Sequence, residues 1–196
     1  TMLPSFAVKW LAPRVGAFLE RNPGIDLRLS VSHSLTDFGD GIDAAIRYGR
    51  PSWPGAENIA LLEDRIFPVC HPKFLQGTRA LNAVADLAGA PILYGNAPDT
   101  WADWLKAAGQ EKVDLPTGPR FDDGASLLQA ALDGAGVALG RSSLAEQDLK
   151  DGRLVAPFTH KLRSQHGFHL VWPAQRHMPH AFSIFREWIV AEAASS

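Results

Sequence analysis

The chain has 196 residues, enough for one domain or for two small lobes with a well-buried core. Its 46% hydrophobic, 9% aromatic and 20% charged residues argue against disorder, and 19 Lys and Arg against 21 Asp and Glu leave a net charge of −2, which speaks against a grip on nucleic acid by this stretch. The single cysteine, Cys70, excludes an intrachain disulfide and a multi-cysteine metal site, and no run approaches the ~18 apolar residues of a membrane span.

Apolar periodicity and Gly/Pro punctuation divide the chain into alternating elements. Phe6, Trp10, Leu11, Val15, Phe18 and Leu19 make one face of a helix, with Pro13 read as a first-turn proline and Asn22-Pro23-Gly24 as its end. Ile25, Leu27, Leu29 and Val31 alternate with polar residues and predict a strand buried on one face. Asp43 to Gly49 reads as a central strand, and Ile59 to Glu63 and Ile66 to Cys70 as two further strands. In the second half, strands are predicted at Pro91–Tyr94, Arg120–Asp122, Val137–Leu139, Arg153–Pro157 and Phe168–Trp172. Helices are predicted at Thr100–Ala108, at Ala125–Leu132, from a Ser142 or Ser143 cap through Leu149, and at Ala181–Ala193. This order is that of an α/β layer architecture in two βα halves.

Catalytic and cofactor patterns are weak. There is no Gly-x-Ser-x-Gly elbow, and Gly134-Ala135-Gly136 lies between a helix and the following strand, the reverse of a dinucleotide fingerprint, so a helix C-cap is the better reading. The spaced pairs His166/His169 and His177/His180 lack accompanying Cys or carboxylate ligands, so no metal or other cofactor is expected. The polar residues at element ends are more informative. Ser5 precedes the first predicted helix, where it either caps the helix or joins the free amides in an anion site. Asp122 and Asp123 before Gly124-Ala125-Ser126 form a strand-to-helix turn that either caps the helix or faces a crevice. Trp101 and Trp104, three apart on one helix face, read as packing rather than stacking on a ligand.

An ordered set of landmarks gives the sequence a family resemblance. Ser5-Phe6-Ala7, Trp10-Leu11-Ala12-Pro13-Arg14, Asn22-Pro23, Ile25-Asp26-Leu27, Gly41-Ile42-Asp43-Ala44-Ala45-Ile46-Arg47-Tyr48-Gly49, Trp53-Pro54-Gly55 and Phe67-Pro68-Val69-Cys70 occur in order. Phe121-Asp122, Leu128-Gln129-Ala130-Ala131, Gly136-Val137-Ala138, Gly152-Arg153-Leu154-Val155 and Phe185-Trp188-Ile189 extend the series. Together they resemble the effector-binding domain of bacterial LysR-type transcriptional regulators, in the branch of the glycine-cleavage and β-lactamase activators. The resemblance implies two Rossmann-like lobes joined by two crossover segments, as in periplasmic binding proteins. Residues 1–68 with 171–196 would form the first lobe and residues 69–170 the second.

The same resemblance implies a small-molecule effector in the inter-lobe cleft, touched by Thr1, Ser5, Asp37, Arg47, Tyr48, Tyr94, Asp122, Asp123, Ser126 and Phe168. Asp123 and Gly124 stand where the β-lactamase activators carry hydroxyl residues, so the cell-wall peptides those proteins read are not carried over. Hydroxyls and free amides favour a carboxylate and the aspartates an ammonium, so the expected ligand is an amino acid or a related carboxylate. The resemblance also implies a cytoplasmic homodimer or tetramer. DNA would be bound only through a winged helix-turn-helix that this sequence does not contain, with no membrane partner. A free-standing periplasmic-type solute receptor is the alternative, and an enzyme is not expected because no nucleophile, metal or cofactor constellation is present.

Overall fold

The computed structural model describes residues 1–33, 38, 41–78 and 80–196. They form two compact units, Thr1–Glu63 with Gln165–Ser196, and Asp64–Ser164. The chain passes between the units twice, within the long strands β2 (Ala56–Val69) and β6 (Leu162–Pro173). β2 spans both strands expected between Ile59 and Cys70, because no turn residue interrupts Asp64-Arg65.

In the first unit the helix starts at Pro4. Helix α1 (Pro4–Phe6) runs through a π-turn (Ala7–Leu11) into α2 (Ala12–Arg21). Pro13 therefore lies inside a helical run rather than at its start. Proline removes one i→i−4 bond and crowds the carbonyl four residues back, and the widened π-turn just before it, where the Ala12 amide donates to Ala7 O, takes up that misfit. The apolar face of α2 packs on α6 (His180–Ala194): Phe18 meets Phe185 edge-on at 5.7 Å and Trp188 at 4.8 Å. Strand β1 (Ala45–Gly49) pairs antiparallel with β6, Ile46 opposite Leu170 and Tyr48 opposite Phe168. The strand expected at Ile25–Val31 is not formed. Only Val31 makes a bridge, to Met2, and without a ladder along the rest of the segment its alternation has nothing to pair with.

The second unit is built on β3 (Ile92–Gly95), which pairs in parallel with β5 (Val137–Arg141) and with β4 (Arg120–Phe121), while β5 pairs antiparallel with β2. Helices α3 (Trp101–Ala107), α4 (Gly124–Leu132) and α5 (Ser142–Lys150) complete it. Its core gathers Leu87, Ile92, Trp101, Trp104, Leu105 and Val137, so the tryptophan pair is packing, as the sequence suggested. Gly134, at a φ of +75°, follows the end of α4 and turns the chain into β5. The strand expected at Arg153–Pro157 reduces to one bridge in which Val155 and Cys70 exchange backbone hydrogen bonds, because no further register follows. Cys70 is buried there and burial pushes its thiol up to about 12.

The start of α5 also departs from expectation. Neither Ser142 nor Ser143 is the cap, since both lie inside the helix, and Arg141 at the capping position supplies no side-chain cap. The acceptor comes from another element. Asp64 on β2 accepts from the Ser143 amide at 3.0 Å and from Ser142 Oγ at 3.2 Å.

Candidate functional site

The first unit brings Phe6, which follows Ser5 in α1, together with Tyr48 and Phe168 through an aromatic chain. Phe6 stacks on Trp10 at 4.9 Å and touches Phe168 at 4.8 Å, and Phe168 touches Tyr48 at 4.9 Å. The pairing register explains this, because directly opposed residues share a face of the sheet. Phe6 and Phe168 are fully buried and Tyr48 is half-buried, so Phe168 is the floor of this neighbourhood and Tyr48 its accessible part.

Ser5 is not the cap that the sequence allowed. It is the second residue of α1 and buried, and the capping position belongs to Leu3, which offers no side-chain acceptor. Pro4 has no N–H, so the first amides of the helix, at Ser5 and Phe6, have no capping side chain. An uncapped helix start beside an aromatic wall favours an anionic group such as a carboxylate.

Arg47 lies on the other face. Adjacent strand residues point to opposite sides, so Arg47 stands opposite His169 and away from Tyr48 and Phe168. Both are buried. Burial lowers the affinity of each for its proton, and Gly167 O, 3.1 Å from His169 Nδ1, partly offsets this for the imidazole. Trp53 sits 5.0 Å from the His169 ring, and His166 lies 6.1 Å from Tyr48. These three neighbours were not singled out from sequence as ligand contacts. The β1–β6 register is the signal that places His166 and His169, and it cannot be read before the strands are paired. Thr1 is fixed by backbone contacts: its ammonium donates to Ala44 O at 2.8 Å and its carbonyl accepts from the Ile46 amide at 2.8 Å. Asp37 lies outside the described residues.

In the second unit Asp122, Asp123 and Ser126 meet at the start of α4. Asp123 is its N-cap, with Oδ2 accepting from the Ser126 amide at 2.9 Å and from Ser126 Oγ at 3.2 Å. Asp123 Oδ1 is buried and has no hydrogen-bond partner among the described residues, and Asp122 is exposed beside it. This helix start already holds a carboxylate, so it suits a cationic group rather than a second anion. Tyr94 is the penultimate residue of β3 and pairs with Arg120 on β4, the strand that leads into this turn. Its hydroxyl donates to Pro116 O at 2.8 Å and the Arg120 guanidinium covers its ring at 5.0 Å, so Tyr94 is engaged structurally. Among the described residues no three His, Cys, Asp or Glu gather as a metal site, and no helix is long and apolar enough to cross a membrane.

Residues 1–194 match the family model of the LysR substrate binding domain. The glycine cleavage system transcriptional activator of Escherichia coli (strain K12) is 37% identical over 196 residues, covering all of this chain and 64% of that protein. The HTH-type transcriptional activator AmpR of Rhodobacter capsulatus is 36% identical over 193 residues, covering 97% of this chain and 64% of that protein. This chain thus spans 64% of the length of those relatives, which are transcriptional regulators and not enzymes. Among solved structures, the effector domain of AmpR of Pseudomonas aeruginosa matches with a TM-score of 0.85 at 32% identity, covering 99% of this chain and 94% of that chain. The mixed α/β fold, of the periplasmic-binding-protein type, and the match over residues 1–194 agree with one another: the chain belongs to the LysR substrate-binding domain family.

Proposed function

We propose that this chain is the effector-sensing part of a cytoplasmic LysR-type transcriptional regulator and that its effector is an amino acid or a closely related small carboxylate. Two observations, one in each unit taken by itself, support the ligand class. In the first unit the Ser5–Phe6 amides have no capping side chain, at the start of the helix whose Phe6 ring touches Phe168, which favours a carboxylate. In the second, Asp123 keeps a buried, unpartnered Oδ1 next to the exposed Asp122, which favours an ammonium. An effector of this kind acts by binding one conformation more tightly than another. DNA contact would belong to a segment outside these 196 residues. The solute-receptor reading is not favoured, because the relatives carry the names of transcriptional activators.

The test is a thermal-shift screen with amino acids, small carboxylates, purines and aromatic acids. Ligand at ~100 times its Kd adds about 2.7 kcal/mol, which for a chain of this size is about 5–10 °C in Tm. An amino acid or carboxylate is expected to produce that shift. Ser5→Ala and Asp122→Asn are each expected to weaken it, the first for carboxylates generally and the second only for ligands with an ammonium group. A shift from apolar compounds alone, with none from carboxylates, overturns the ligand class.

We also propose that two copies pair through the exposed face of the first helical run. Val8 and Leu19 are large apolar side chains left exposed there, with Ala12 and Gly16 exposed between them. Light scattering is expected to show a dimer, in keeping with the isologous pairing common among oligomers. Leu19→Glu is expected to shift it to monomer while leaving the far-ultraviolet circular dichroism of the folded chain unchanged, and to remove any dependence of Tm on protein concentration.

A further inference from the structure

Strand β2 changes neighbours along its length. β6 runs beside one of its edges, while on the other edge β5 pairs only with Ile66–Val69. Ahead of that ladder the second edge stays open, and two contacts fix which residues present it. A Cβ built on Gly167 of β6 would meet Leu62 O at 2.5 Å, so the Leu62 carbonyl faces β6. The Arg65 amide donates to Ser142 Oγ at 3.0 Å, just past the end of β5, so Arg65 faces the other way. Backbone polar groups alternate between the two edges of a strand, which turns the N–H and C=O of Glu57, Ile59 and Leu61 outward. Among the described residues no ladder covers these three. Glu57 and Arg65 are exposed, and Ile59 is 37% exposed between them.

An open edge of this kind is a template for strand addition, and charged side chains along it ordinarily prevent the pairing. Here the charges select a partner instead. Glu57, Ile59, Leu61 and Arg65 are separated by even numbers of residues and so stand on one face of β2. We propose that this edge pairs antiparallel with the same edge of a second copy, about a two-fold axis at Leu61. Leu61 then meets its own counterpart, Ile59 stands opposite Glu63, and Glu57 stands opposite Arg65 once on each side of the axis. Outward-facing groups meet one another in this register, so Leu61 and its counterpart exchange both backbone hydrogen bonds.

The charge pattern favours a second copy over a foreign peptide, because it is self-complementary. One axis makes two Glu–Arg pairs, each of the kind that stabilises directly opposed residues on neighbouring strands. The same charges choose the register: an axis one residue earlier, at Ala60, sets Glu57 against Glu63. This edge is separate from the helical run that carries Val8 and Leu19, and it pairs whether or not that run does. A contact along one strand edge is small and belongs with weak, transient interfaces, so it forms at concentrations above those at which a helical-run dimer assembles. With two isologous faces, pairs of the chain join into larger assemblies.

Sedimentation velocity over a concentration series in a Leu19→Glu background reads the edge alone. Self-association is expected at the top of the series. Glu57→Arg and Arg65→Glu are each expected to weaken it about tenfold, since either turns two opposite-charge pairs into two like-charge ones, and the double variant is expected to recover it. Disulfide formation under a mild oxidant reads the register. Leu61→Cys is expected to cross-link to its counterpart, because opposed residues of a hydrogen-bonded pair have Cα atoms about 5.5 Å apart. Ile59→Cys lies about 13 Å from its counterpart and is expected not to. Cys70 is buried and takes no part. The proposal is overturned by a Leu19→Glu protein that stays monomeric throughout, by a double charge variant no better than the single ones, or by Leu61→Cys cross-linking no faster than Ile59→Cys.

Discussion

Trp104→Ala is expected to lower the stability of the second unit by about 3–5 kcal/mol, the range for truncating a large, fully buried aromatic. Trp104 has no exposed surface and sits in a ring of Trp101 at 6.1 Å, Phe158 at 5.9 Å and His160 at 5.8 Å. Its indole N–H donates to His160 O at 3.4 Å. The consequence reaches α3 as a whole, because seven residues are too few to hold a helix by backbone bonds alone. What else fixes α3 is local: Thr100 Oγ1 accepts from the Asp103 amide, and the Asp103 carboxylate accepts from the Thr100 amide and hydroxyl, which holds its proton affinity below the usual range. These bonds define where the helix starts but bury little. Urea unfolding followed by circular dichroism is therefore expected to become biphasic in the variant, with an early phase from the second unit and a late phase at the wild-type position from the first. Hydrogen exchange should localise the early phase to β3 and β5 and leave β1 protected. A single transition shifted as a whole would mean that the two units unfold as one.

The elements legible in the sequence are those whose signals are local. α3, α4 and α6 follow from apolar spacing and capping residues, and β1, β3 and β5 from short buried runs bounded by glycine or proline. What was not legible depends on a partner distant in the chain. The alternation in Ile25–Val31 describes a strand faithfully, but a strand exists only when another segment pairs with it, and here that pairing stops at Met2. Pro13 carries the usual mark of a helix start, and only the preceding π-turn shows how it is accommodated mid-helix. The candidate site divides in the same way. Asp123 and Ser126 belong together by their spacing of three, whereas the separation of Arg47 from Tyr48 and Phe168 follows from the sheet register. Asp64 carried no sequence signal at all, because its partners at Ser142 and Ser143 are nearly eighty residues away.

Asp64 yields the other large expected effect, and it depends on pH. The side chain is only 1% exposed, and one oxygen, Oδ2, is buried with no hydrogen-bond partner among the described residues. Burial raises its proton affinity above that of an ordinary carboxylate; the Ser143 amide, the Ser142 hydroxyl and the Arg141 guanidinium oppose the rise without cancelling it. Asp64→Ala removes an acceptor that reaches the start of α5 from outside the helix. It leaves the partly buried Ser143 amide without that acceptor, at a cost of about 1–3 kcal/mol, with loss of the helix cap included. Asp64→Asn keeps an acceptor oxygen and is expected to cost much less at acid pH. The sign of the pH dependence follows from linkage. The folded chain holds this proton more tightly than the unfolded chain does, so the stabilisation linked to it is complete below the unfolded value near ~3.9 and is lost as pH rises through the folded one. Wild type should therefore lose stability relative to Asp64→Asn between pH 4 and pH 7. Urea midpoints of the two proteins across that range read the effect directly, because every other titrating group is common to both. A difference that stays constant, or that moves in favour of wild type as pH rises, would show that the helix start and the Ser142 hydroxyl hold the carboxylate charged despite its burial.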